Sequence, residues 1–154
     1  MEEVNRHCEV FTEEKLLERG CLCHGDFQHH NALIRDGEVY LINFEKFILD
    51  DPMRDVSLFF RKIMEKNNWR QETGELVLES YQKQKGLIRE DRIQLYYRLS
   101  YPEKFWKIVN FYYGAPKVWI PAKNMEKLEK ILRQEEEKFM FLESNFKEGV
   151  LRKR

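Results

Sequence analysis

The stretch from Cys23 to Glu45, CHGDFQHHNALIRDGEVYLINFE, constrains the fold of this chain more than any other. Ala32-Leu33-Ile34 is apolar, and Val39-Tyr40-Leu41-Ile42 is β-branched and aromatic. Asp36-Gly37 between them is a strong hairpin signal, because both central residues of the favoured two-residue turn need positive φ. The sequence therefore predicts two short antiparallel strands. His24 to Asn31 is the loop leading into them, and Asn43-Phe44-Glu45 falls where the second strand should end.

Within that loop His24, Asp26 and Asn31 follow the spacing H-x-D-x-x-x-x-N. This is the spacing of a kinase catalytic loop, in which the Asp takes the proton of an acceptor hydroxyl and the Asn ligates magnesium. An oxygen attacking a γ-phosphoryl group must be held in line with it, so base and metal ligand belong on one rigid loop. Asp26 is accordingly the candidate base or acceptor-orienting group, against the alternative of a loop-capping Asp. Asn31 is a candidate magnesium ligand through its amide oxygen. His24 reads as a catalytic-loop scaffold residue, and Gly25 as the residue that lets the backbone turn closely beneath the acceptor. A kinase-type site keeps its second metal ligand, normally Asp, where this chain has Asn43. Magnesium favours anionic oxygen, so an amide there weakens the site. Glu45 is the nearby carboxylate that could reach the metal in compensation.

HGDFQHHN, then INFE, then DDPMRDVSLFF together resemble the C-terminal lobe of the aminoglycoside phosphotransferase and choline kinase superfamily. The doubled His and the aromatic after Asp26 are most similar to its spore-coat kinase-like branch, the CotS type. The motif resemblance spans Cys21 to Met64. It implies an α+β, mostly α, kinase-like C-terminal lobe, with a small hairpin carrying the catalytic loop and four to five helices after it. It also implies ATP and magnesium as cofactors and a hydroxyl-bearing acceptor. Asp55, inside the pattern Asp-Val-Ser-Leu-Phe, is the residue that the resemblance assigns to holding the catalytic-loop backbone. Enzymes of this type have an N-terminal β lobe with a phosphate-holding Lys and a Gly-rich loop. The residues before His24 carry no such loop, so that lobe is expected to be absent here and to lie upstream or on a partner chain.

A chain of 154 residues, 42% hydrophobic and 14% aromatic, suits one globular domain. The expected division is a helical lead-in over 1–20, the lobe over 21–145 and a basic tail over 146–154. The charge balance, 27 basic against 27 acidic residues, gives no electrostatic case for nucleic acid or a membrane surface. Without a signal peptide or a long apolar run, a soluble cytoplasmic protein is expected, with the spore coat as the location the resemblance adds. Three Cys at 8, 21 and 23 do not make a disulfide framework. Cys21 and Cys23 lie close to His24, His29 and His30, but C-x-C is not the spacing of a tetrahedral zinc site, and the two thiols read as packing side chains. His29 and His30 read as loop residues, His30 the more buried.

Helices are expected over Glu13–Arg19, with Gly20 as stop, and after Asp51-Pro52 as N-cap and first helical residue. The latter should bury Val56, Phe59, Phe60, Ile63 and Met64. Lys46 to Asp50 reads as a loop. Further helices run from about Gly74 to Lys85, from Glu90 to a break at Pro102, from there to Gly114, and from Lys123 to about Asn145. The aromatics between Tyr96 and Trp119 read chiefly as core, although the resembling enzymes build their acceptor pocket in this region. Two functions follow. In the first, the chain is the C-lobe of an ATP-dependent phosphotransferase, inactive or weak in isolation. In the second, it is a pseudokinase-like binding or structural protein that uses the exposed lobe face for a partner or for self-association.

Overall fold

The computed structural model of the chain describes residues 18–114 and 120–151. Its described residues form four short strands followed by five helices: β1 (Cys21–Cys23), β2 (Ala32–Arg35), β3 (Glu38–Leu41), β4 (Ile48–Asp50), α1 (Met53–Lys66), α2 (Gln71–Gln84), α3 (Arg89–Ser100), α4 (Glu103–Gly114) and α5 (Ala122–Leu151). This is the mostly helical α+β arrangement that the sequence predicts. Most of the lead-in helix lies outside the described residues; Glu18 and Arg19 are helical and Gly20 ends the turn.

The hairpin β2–β3 pairs Ala32 with Leu41 and Arg35 with Glu38. Asp36 and Gly37 take φ of 54° and 83°, the two positive values a tight right-twisted turn requires. A second antiparallel pair replaces the loop expected over Lys46–Asp50. There β4 lies against β1 with Cys21 opposite Asp50 and Cys23 opposite Ile48. Three-residue strands this far apart in sequence carry no local turn signal, and the pairing closes the segment 24–47 like a drawstring.

Asp51 caps α1 through its carboxylate, which accepts the Met53 amide at 2.7 Å. The buried face of α1 is Met53, Ser57, Phe60 and Met64, so the inward stripe is rotated from the expected one. Phe59 instead stacks on Phe27 of the loop, ring centroids 4.9 Å apart. The core joins Phe60 and Met64 to Leu78 of α2, Leu95 and Leu99 of α3, and Phe141, Leu142 and Phe146 of α5. Gly74 lets α2 approach closely: a Cβ there would stand 2.1 Å from the Phe141 ring and 2.9 Å from the Met64 methyl. Two expectations are corrected here. Helix α5 continues to Leu151, and Phe146 is 1% exposed, so residues just past 145 belong to the packed unit and not to a tail. The aromatics of α4 are only partly core, with Ile108 buried but Phe111 and Tyr113 exposed. No helix among the described residues is long and apolar enough to cross a membrane.

Candidate active site

The loop between β1 and β2 is held by Asp55. From the first turns of α1, its two carboxylate oxygens accept the backbone N–H groups of His24 and Gly25, the latter at 3.0 Å. Such charge-assisted bonds, two to one rigid helix, fix the loop's height above the core. Gly25 has φ of 77°, and a Cβ on it would lie 1.9 Å from the Lys46 carbonyl oxygen, so this position admits only glycine without displacement. His24 is buried. Its Nε2 lies 2.8 Å from the Ile42 carbonyl and its Nδ1 accepts the Asp26 amide at 3.3 Å, which fits the Nε2–H tautomer. Its ring also packs on Phe44. His24 thus ties the loop to the end of β3.

Asp26 lies at the mouth of a cleft of about 440 Å³. Its carboxylate accepts the Lys46 ammonium at 2.8 Å and the Gln28 side-chain amide. Bonds from Lys46, then from Gln28, hold the carboxyl below the ordinary Asp range. Asn31 is 2% exposed and locked on every side: its backbone amide donates to Gln28, its carbonyl accepts the Ile42 amide, and its Nδ2 donates to the Asp26 carbonyl at 2.8 Å. That last bond turns its Oδ1 toward Asn43, whose Nδ2 donates to it at 3.0 Å. Asn43 adopts φ 64°, ψ 56°, a left-handed conformation that Asn tolerates better than most residues.

The two predicted metal ligands are therefore adjacent, yet they bond to each other. Glu45, the third, is exposed on the turn after Asn43. Among the described residues no three His, Cys, Asp or Glu side chains converge on a point where a metal could sit. The residues present do not fit magnesium: two neutral amides face one another and one oxygen already accepts a hydrogen bond. The zinc reading also finds no site. Cys23 is buried, its thiol pushed up to about 12, first by burial and then by Cys21. Cys21 is exposed rather than packed, and His29 and His30 are both exposed.

Sequence reasoning missed Lys46, the partner of Asp26, and the cationic wall of the cleft: Arg54, Arg61, Lys62, Arg98 and Lys107. These come from α1, α3 and α4, and no spacing in the sequence joins them.

A family model described as "Spore coat putative kinase YutH" matches residues 6–145. The chain belongs to that family. The solved structure of an aminoglycoside phosphotransferase from Alicyclobacillus acidocaldarius superposes on 96% of the chain with a TM-score of 0.75 at 19% identity. The chain spans about half of that enzyme, 47% of its length. The shared fold is that of a kinase-like phosphotransferase lobe. No curated protein matches the chain.

Proposed function

We propose that this chain is the acceptor-side lobe of an ATP-dependent phosphotransferase that moves a γ-phosphoryl group to a hydroxyl, weak or silent as it stands alone. The observation that carries the reading is Asp26 itself. It is a partly exposed carboxylate at the mouth of a cleft, on a loop that Asp55, Gly25 and His24 fix in place. Asp26 would accept the hydroxyl proton as the oxygen bonds to phosphorus and the bond to the departing diphosphate breaks. His24 and Asp55 act by positioning the loop. The nucleotide clamp comes from outside the described residues, on an upstream lobe or a partner chain. The protein acts in the cytoplasm or on the spore coat.

A second reading, a non-catalytic binding protein, is favoured by the Asn31–Asn43 bond, which satisfies the two amides without a metal. It is also favoured by the apolar side chains left open on the strands, Ile34 at 80% and Leu22 at 68% exposed, a surface suited to a partner or to self-association. Titrating ATP into the purified chain with and without magnesium, and repeating it on Asn43→Asp, separates the two. Magnesium-dependent binding gained by Asn43→Asp supports the phosphotransferase reading. Silence in both, together with capture of a partner through the strand face, supports the second.

A further inference from the structure

The cleft beside Asp26 has a charge that the whole chain does not. The sequence is balanced at 27 against 27. Yet the lining of this cleft sets five cationic side chains, Arg54, Arg61, Lys62, Arg98 and Lys107, against Asp26 and Glu103. Their available carboxylates are shared. Asp50 pairs with Arg54 at 2.6 Å and with Arg98 at 3.7 Å. Glu103 pairs with Arg61 at 2.7 Å and with Lys107. Burial alone would raise the Glu103 carboxyl, but Lys107, Arg61 and Lys62 hold it below its ordinary value, so the positive charge prevails at this spot.

Two further observations point to a ligand. The buried Nε–H groups of Arg61 and Arg98, both lining residues, find no hydrogen-bond acceptor among the described residues. A buried donor without an acceptor is costly, so the protein alone leaves neither guanidinium fully satisfied. The cleft also runs on past Asp26. It shares Arg61, Lys62, Glu103 and Lys107 with a neighbouring pocket of about 380 Å³, whose other charged lining residues are Lys104 and Glu65, paired at 2.6 Å, and Lys127. The lining of the cleft beside Asp26 includes Gly25, Asp26 and Gln28 but neither Asn31 nor Asn43.

We infer that this cleft binds the acceptor, and that the acceptor is a small hydroxyl compound carrying an oxyanion, a phosphate monoester or a carboxylate. Its anionic group sits among the guanidinium and ammonium groups of the cleft, Lys62 and Lys107 included, which donate to both kinds of oxyanion, and its hydroxyl points at Asp26. The inference rests on the phosphotransferase reading for the word acceptor, but the binding site stands on the cleft alone.

The test is calorimetric titration of glycerol 3-phosphate, glycerate and glycerol into the whole chain without nucleotide, at low and at moderate salt. It is repeated on Lys62→Gln/Lys107→Gln and on Lys83→Gln, an exposed α2 position outside the cleft. Glycerol 3-phosphate or glycerate should bind and glycerol should not. The double variant should weaken binding about tenfold or more, as loss of charge-assisted bonds requires. Added salt should weaken it too, and Lys83→Gln should leave it unchanged. Which of the two anions binds names the oxyanion. Absence of binding by both anions overturns the inference, as does binding that is indifferent to Lys62→Gln/Lys107→Gln. Failure here is distinct from failure of the phosphotransferase reading. Anion binding with silent ATP titrations leaves the cleft assigned, whereas magnesium-dependent ATP binding in Asn43→Asp with silent anions removes only the cleft.

Discussion

Replacing Gly25 by Ala tests whether the loop between β1 and β2 is held by contact and not merely by turn chemistry. The substitution adds one methyl group at φ 77°, and in L-residues that backbone region costs roughly 1–2 kcal/mol. The added Cβ would also lie 1.9 Å from the Lys46 carbonyl oxygen and 2.9 Å from its carbon, where ordinary contact begins near 3.4 Å. The obstructing atoms are backbone, so the turn after Asn43 must move by more than an ångström, at a further cost of about 1–3 kcal/mol typical of overpacking. Gly37 is the natural control. Its φ is 83°, but nothing lies within 4 Å of a Cβ placed on it. Gly37→Ala should therefore show the conformational cost alone, about 1–2 kcal/mol, and Gly25→Ala roughly 2–5 kcal/mol. Urea unfolding followed by far-UV circular dichroism measures both, with the midpoint shift converted at a common slope. Equal destabilisation of the two variants would refute the close approach of the loop to Lys46, and with it the geometry that aims Lys46 at Asp26.

Four other outcomes follow from the same contacts. Gly74→Ala should destabilise the chain by about 1–3 kcal/mol although Ala is the better helix former, because its methyl group overlaps Phe141 and Met64; a rise in melting temperature would contradict that packing. Asp55→Ala should cost about 2–4 kcal/mol and speed hydrogen exchange at the His24 and Gly25 amides, which lose their acceptor. In Lys46→Ala the Asp26 carboxyl should titrate higher by carbon-detected NMR, since Lys46 is the main cause of its low value. The stability that Asp26 contributes is present above its unfolded pKa and lost as pH falls through the folded one, so this acid-side loss should shrink in the variant. Burial depresses the Lys138 ammonium, so wild-type stability should rise as pH climbs from that lowered value toward about 10.4, and Lys138→Met should be stable at neutral pH and lack that rise.

The parts of the fold legible in the sequence are those carried by local chemistry. Asp36-Gly37 marked the hairpin because two positive φ values in succession leave few residues to choose from, and Pro102 marked the break between α3 and α4 because its ring cannot continue the helix. The stripe on α1 was read a fraction of a turn away. Val56, Phe59 and Ile63 form an apolar row as regular as Met53, Ser57, Phe60 and Met64, and only the partners, α3 and α5, decide which row goes inside. The β1–β4 pair was invisible for a related reason, since its pairing depends on closing a long loop. At the site, the spacing of His24, Asp26 and Asn31 could be read directly, whereas Lys46 and the arginines could not. The roles of the arginines depend on how α1 and α3 pack, and that of Lys46 on where the turn after Asn43 comes to lie.

The Asn43 position links these two kinds of information. Read from the sequence, an amide at a metal ligand's place is a lost charge. In the structure it is also a gained donor, because its Nδ2 bonds to the Asn31 oxygen that a metal would otherwise take. A carboxylate at 43 would set oxygen against oxygen, an arrangement that a bound cation or a proton relieves. The amide removes that requirement, and Asn also fits the left-handed backbone at this point. The present site is therefore self-consistent without metal: two amides satisfied by each other, and Asp26 neutralised by Lys46. A loop held this firmly by Asp55 and Gly25 carries Asp26 at the cleft, while the Asn31–Asn43 bond fills the place of the expected metal ligands. That asymmetry is why the cationic cleft is the part of this chain whose chemistry can be tested first.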